Sequence, residues 1–113
     1  MKWYETPAGN LPAKDFYDNC NQYIKKLFDN LFKLLKNNQL AQIKDCSKLL
    51  DSKEHIFELR LKDGDFWYRL TYFRADDGNI LLTGFTKKRN ETDDIEIQKA
   101  IKCKKNYLLY RRG

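Results

Sequence analysis

Residues 54–101 constrain this chain more than any other stretch. Three runs rich in strand-forming residues are separated by two tight-turn dipeptides, Asp63-Gly64 and Asp77-Gly78. Aspartate followed by glycine suits the two-residue turns that need positive φ and whose twist matches that of paired antiparallel strands. The segment predicts a three-stranded antiparallel meander over about 55–62, 66–74 and 79–86. Lys87, Lys88 and Arg89 follow the third strand directly. A helix is then expected over about 93–107, with Asp93 as N-cap, Glu96 completing a capping box and Asp94 complementing the helix dipole. Ile97, Ala100, Ile101 and Leu108 supply its docking face.

Upstream the period changes. Phe16, Cys20, Ile24, Leu27, Phe28, Leu31, Leu34 and Leu35 recur every three or four residues, which predicts one long amphipathic helix over about 13–36. Asn37-Asn38 is its expected stop. Leu40, Ile43, Leu49 and Leu50 suggest a short second helix over about 39–50. Residues 1–5 suit a short edge strand and residues 6–12 a loop. The expected fold is α+β: two N-terminal helices packed on a small twisted antiparallel sheet, with a C-terminal helix. At 113 residues, 1–113 is expected to form a single domain.

Alternation assigns faces within the meander. Phe57, Leu59 and Leu61 share one side of the first strand, and Glu58, Arg60 and Lys62 the other. In the second, Phe66, Tyr68, Leu70 and Tyr72 alternate with Trp67, Arg69, Thr71 and Phe73; in the third, Leu81, Thr83 and Phe85 alternate with Ile80, Leu82, Gly84 and Thr86. Arg60 and Arg69 are expected to meet across the first hairpin. An arginine in mid-strand is costly to bury unless paired. Arg69 therefore either braces Glu58 or Glu96 or faces a bound anion, and in the second case its replacement by alanine should change stability by no more than about 1–2 kcal/mol.

Charge narrows the partners. Lys+Arg 22 against Asp+Glu 16 leaves +6, and 14% of residues are aromatic. Such a balance favours an anionic partner, nucleic acid among them. No apolar run approaches the roughly 20 residues of a membrane span, and Met1-Lys2-Trp3 opens no signal-peptide core; a soluble cytoplasmic protein without a membrane partner is expected. Cys20, Cys46 and Cys103 lie far apart and His55 is the one histidine. That spacing suits neither a metal site nor a disulfide framework, so no metal and no cofactor is expected. His55 would stand at the start of a strand, where an ordinary surface role competes with that of a base.

Four fragments, in order, carry a resemblance: Glu58-Leu59-Arg60, Tyr68-Arg69-Leu70-Thr71-Tyr72, Leu81-Leu82-Thr83-Gly84-Phe85-Thr86-Lys87-Lys88 and Glu96-Ile97-Gln98-Lys99-Ala100. They resemble the RelE/ParE toxin superfamily, in particular its phage-derived, HigB-like branch. Gly9, Pro12 and Phe16 fit that branch's loop into its first helix, and Lys48-Leu49 fits the approach to the first strand of the meander. Thr83 stands where the family usually has a histidine, and the loop 87–93 lacks its usual proline and second lysine.

The resemblance implies a RelE-like fold and the toxin of a type II toxin–antitoxin system, a ribosome-dependent mRNA endonuclease that inhibits translation. Implied partners are the ribosome, mRNA and a cognate antitoxin of the helix-turn-helix, HigA-like kind, in a hetero-oligomer. Metal-free transesterification requires an activated 2′-hydroxyl, a stabilised dianionic phosphorane and a protonated leaving 5′-oxygen. Arg60 and Arg69 would supply fork-shaped charge to the phosphorane, and Lys87 and Lys88 charge or a proton. Trp67, Tyr68, Tyr72 and Tyr107 are candidates to stack on bases, with Arg89 and Lys99 as further RNA contacts. Two alternatives stay open: a ParE-like inhibitor of DNA gyrase, and a non-catalytic module that binds nucleic acid or antitoxin.

Overall fold

The computed structural model describes residues 1–43 and 45–110. Its elements run β1 (Lys2–Trp3), α1 (Pro12–Asn19), α2 (Gln22–Lys36), a 3-10 turn (Leu40–Gln42), β2 (Ser47–Asp51), β3 (Ile56–Asp63), β4 (Phe66–Ala75), β5 (Gly78–Lys87) and α3 (Asp94–Tyr110). Among the described residues the strands form one sheet in the order β1-β5-β4-β3-β2. The α+β class and the meander stand as the Asp-Gly turns predict. The sheet is larger than expected and mixed, because β1 pairs with β5 in parallel while the other pairs are antiparallel.

Two helical expectations are corrected. The apolar stripe over 13–36 belongs to two helices, not one. Cys20 takes extended backbone, and Asn21 restarts the chain by accepting a hydrogen bond from the Ile24 amide at 2.9 Å, an N-cap that an amphipathic period cannot reveal. Pro12 opens α1 at the position where a missing N–H costs least. The expected stop holds: Asn38 has φ 58°, with Asn38 N–H on the Leu35 carbonyl and Gln39 N–H on that of Leu34. These bonds make the left-handed cap that asparagine tolerates.

The second correction concerns 39–50, expected as a helix and containing Lys44, which lies outside the described residues. Among the described residues of this stretch, Leu40–Gln42 forms a 3-10 turn and Ser47–Asp51 forms β2 along β3. The open edge of β3 offers hydrogen bonds that a short, uncapped helix cannot match, so tertiary pairing overrides a marginal helical pattern.

The helices cover opposite faces. Against α1 and α2 lie Leu59, Leu61, Leu70, Tyr72 and Leu81, packed on Ile24, Phe28, Leu31, Phe32 and Leu35. Against α3 lie Ile56, Phe73, Ile80 and Leu82, packed on Ala100 and Ile101. A register shift of β5 against Thr71 and Tyr72 of β4 puts the neighbours Leu82 and Thr83 on one face. Thr83 and Phe85 thus join Ile80 and Leu82 instead of sharing the expected face with Leu81; strict alternation does not allow this.

At Gly84 the Phe16 side chain of α1 lies directly against the sheet. A Cβ there would fall 2.4 Å from the Phe16 ring, so Gly84→Ala should push α1 off β5 and cost about 1–3 kcal/mol. Urea unfolding checks this, and a loss below about 0.5 kcal/mol would show that α1 yields freely.

Candidate nucleic-acid interface

On the α3 side of the sheet, register brings side chains into cross-strand rows. Lys62 pairs with Trp67 and Trp67 with Lys87; Arg60 with Arg69 and Arg69 with Phe85; Glu58 with Thr71 and Thr71 with Thr83. Cations occupy the end of the sheet at the β3–β4 turn, and apolar residues the end under α3. The expected meeting of Arg60 with Arg69 is thus realised as a directly opposed pair.

Trp67 is the centre of the cationic end. The Arg60 guanidinium lies 5.3 Å from its ring centroid, the Lys62 ammonium 5.6 Å and the Arg69 guanidinium 5.8 Å. On the other face of β4, Phe66 is 42% exposed, with the Lys88 ammonium 5.6 Å from its ring. Cations over aromatic faces are attracted by the ring quadrupole, so the rings hold like charges close together at the surface. Arg60 also donates from Nη1 to the Asn90 side chain at 2.7 Å, and its buried Nε has no hydrogen-bond partner among the described residues.

Arg69 is different. Its side chain has no exposed surface, and neither has that of Glu58. Nη1 reaches Glu58 Oε1 at 3.4 Å and also donates to the Thr92 hydroxyl, while Nη2 donates to the Arg89 carbonyl. Thr92 in turn donates to Glu58 Oε2 at 2.7 Å. Burial lowers the Arg69 pKa, and the Glu58 carboxylate works against that shift. Of the two roles open to Arg69, the geometry displays bracing: it ties the 88–93 loop to the sheet through Glu58, and no ligand reaches it while that loop is in place.

Lys87, at the end of β5, bonds to the Asp93 carboxylate and holds it below the usual carboxylate range. Asp93 stands just before α3 as expected, and its carboxylate serves Lys87. Thr83, where a histidine is usual in the resembled family, is buried, its hydroxyl 2.5 Å from that of Thr71. His55 is exposed in the β2–β3 turn with φ 55°, away from this cluster.

Several RNA-contact candidates lie elsewhere. Tyr72 is 3% exposed, stacks on Phe57 and shares a 2.9 Å hydrogen bond with Ser47; its ring is core and offers no face to a base. Tyr68 packs against the α1–α2 core, on the opposite face from Trp67. Tyr107 packs edge-on against Phe73 and donates to Asp77 at 3.0 Å, at the far end of β4 and β5. There the Lys2 ammonium, more than Tyr107, pulls the Asp77 carboxyl down to about 2. Lys99 is exposed on α3, 3.7 Å from Glu96. Arg89 is exposed on the loop that Arg69 holds. The structure therefore gathers Arg60, Trp67 and Lys87 beside the loop that carries Arg89, adds Lys62, and leaves Lys88 with Phe66 on the other face of the same end. Lys62 was legible from its alternation with Arg60. The roles of Asn90 and Thr92 were not, since loop residues carry no period.

Among the described residues no group of His, Cys, Asp or Glu is arranged to hold a metal ion, and no helix is long and apolar enough to cross a membrane. No curated protein and no solved structure matches the chain significantly. A family model described as Phage derived protein Gp49-like (DUF891) matches residues 15–105, a span running from α1 through the sheet and its cationic end into α3. The chain belongs to this phage-derived Gp49-like family, which is associated with RelE-type, toxin-like proteins.

Proposed function

We propose that this protein is a toxin of the HigB-like kind that grips single-stranded mRNA on the ribosome and cleaves it, working in the cytoplasm and neutralised by a cognate antitoxin. The observation that carries the reading is the surface around Trp67, where Arg60 and Lys62 lie over a partly exposed aromatic ring. Single-stranded RNA is held by stacking of bases on aromatic faces and by cations along its phosphates. The partnerless Arg60 Nε is a donor that a phosphate oxygen would satisfy.

In the proposed reaction the 2′-hydroxyl gives its proton to solvent water as its oxygen attacks the adjacent phosphorus. The 5′-oxygen leaves and takes up a proton, giving a 2′,3′-cyclic phosphate and a 5′-hydroxyl. Arg60 and Lys88 neutralise the phosphorane oxygens, and Lys88 donates the proton taken up by the leaving oxygen. Arg69 acts indirectly, by holding the loop that carries Lys88 and Arg89. A second reading, a binding module without catalysis, is favoured by one feature: Glu58 and Asp93 are already engaged with Arg69 and Lys87.

Addition of the purified protein to a cell-free translation system, with mapping of mRNA 5′ ends, decides between them. New ends that appear only with translating ribosomes support cleavage; translation blocked with intact mRNA supports binding alone. Trp67→Ala should weaken binding of a single-stranded RNA oligonucleotide by about 1–3 kcal/mol, read by fluorescence anisotropy of a labelled oligonucleotide. Unchanged affinity would remove Trp67 from the interface.

A further inference from the structure

Helix α3 has two working faces. Ile97, Ala100 and Ile101 meet the sheet. Lys99, Lys102, Cys103, Asn106 and Leu109, again three or four residues apart, line an open groove of about 640 Å³ whose other wall includes Pro7 and Pro12 of the β1–α1 segment. The groove is mostly apolar, and Leu109 at its end is 70% exposed. Lys105 lines it as well, so three lysines stand along it. An exposed apolar surface rimmed by charge is the usual form of a protein-docking site.

Its chemistry does not suit nucleic acid. The aromatic ring in its lining, Tyr4, is 3% exposed and has its hydroxyl on Asn106 at 2.7 Å, so no free face is offered to a base. The three lysines step along α3 by about 4.5 Å each, the spacing at which carboxylates three or four residues apart on a neighbouring helix would meet them. The chain's charge of +6 draws an acidic segment towards it.

We infer that this groove is the docking site for an amphipathic helix with an acidic flank, supplied by the partner that neutralises the protein. The partner class rests on the reading above; the site does not. The helix lays its apolar side on Leu109 and Cys103, with its carboxylates on Lys102 and Lys105, and leaves Trp67 and Lys62 uncovered.

The test uses the full chain and the purified product of the adjacent gene, with affinity measured by calorimetry. Lys102→Glu and Leu109→Asp, both at exposed positions, should each weaken binding at least about tenfold, as truncation of a central interface anchor does. Lys62→Glu, at the β3–β4 turn, should change it less than about twofold, as contacts outside such an anchor do. Growth arrest by the Lys102→Glu variant should persist and escape neutralisation. Wild-type affinity in both groove variants overturns the assignment, and so does a loss confined to Lys62→Glu, which would put the partner over the cationic end. If the adjacent product does not bind while the protein still arrests growth, the docking proposal fails and the toxin reading survives. If it binds in the groove but the protein neither arrests growth nor cleaves mRNA, the toxin reading fails and the docking site stands.

Discussion

Arg69→Ala should remove about 3–5 kcal/mol of folding stability, the usual cost of leaving one partner of a buried ion pair without the other. That is a large share of the roughly 5–15 kcal/mol holding a domain together. It exceeds the change of about 1–2 kcal/mol expected had the side chain faced solvent or a ligand. The reason is local: Glu58 would be left charged with no exposed surface, and the Arg89 carbonyl would lose a donor. Denaturant unfolding followed by circular dichroism measures the loss. Glu58→Ala should cost a similar amount, and the double variant less than the sum, because neither single variant retains the interaction. Replacing both with apolar residues of similar volume, as in Glu58→Leu with Arg69→Met, should recover much of the stability. A loss below about 1 kcal/mol for Arg69→Ala would mean that the pair is not what holds the 88–93 loop.

Arg60→Ala and Lys88→Ala should behave in the opposite way. Each should slow mRNA cleavage by roughly a hundredfold or more, the effect of removing one preorganised transition-state donor. Stability should change by about 1 kcal/mol or less, since Lys88 is exposed and Arg60 only partly buried. Arg60→Lys should recover only part of the rate, because an ammonium lacks the planar fork that reaches two phosphate oxygens at once. Quantified 5′ ends from the translation system give the rates, and the unfolding curves show whether each variant is folded. Folded variants that cleave at wild-type rates would remove the Trp67 surface from the chemistry. The contrast with Arg69 separates a group that touches substrate from one that positions the loop.

Much of this was written in the chain. The two tight turns and period-two runs determined the meander and the register of its first hairpin, which put Arg60 beside Arg69 and Lys62 beside Trp67, but not the register shift in the second. Short-range backbone geometry and alternation suffice for the first hairpin, because a two-residue turn leaves one pairing when no bulge intervenes. The asparagine pair that stops α2 was equally legible, since its cap is a local bond pattern.

Tertiary structure decided the rest, wherever two local solutions lay close in free energy. The stretch 39–50 could have formed a marginal helix, and the open edge of β3 drew Ser47–Asp51 into the sheet instead. The fate of each tyrosine followed from which layer covered it: Tyr72 lies in the α1–α2 core, and Tyr107 packs against Phe73 under α3. Arg69 shows the division most clearly. Alternation could place it on the polar face and leave two roles open. Only the return of the 88–93 loop, which brings Thr92 and the Arg89 carbonyl over a buried Glu58, made that arginine a brace, because a polar face becomes interior once something folds across it.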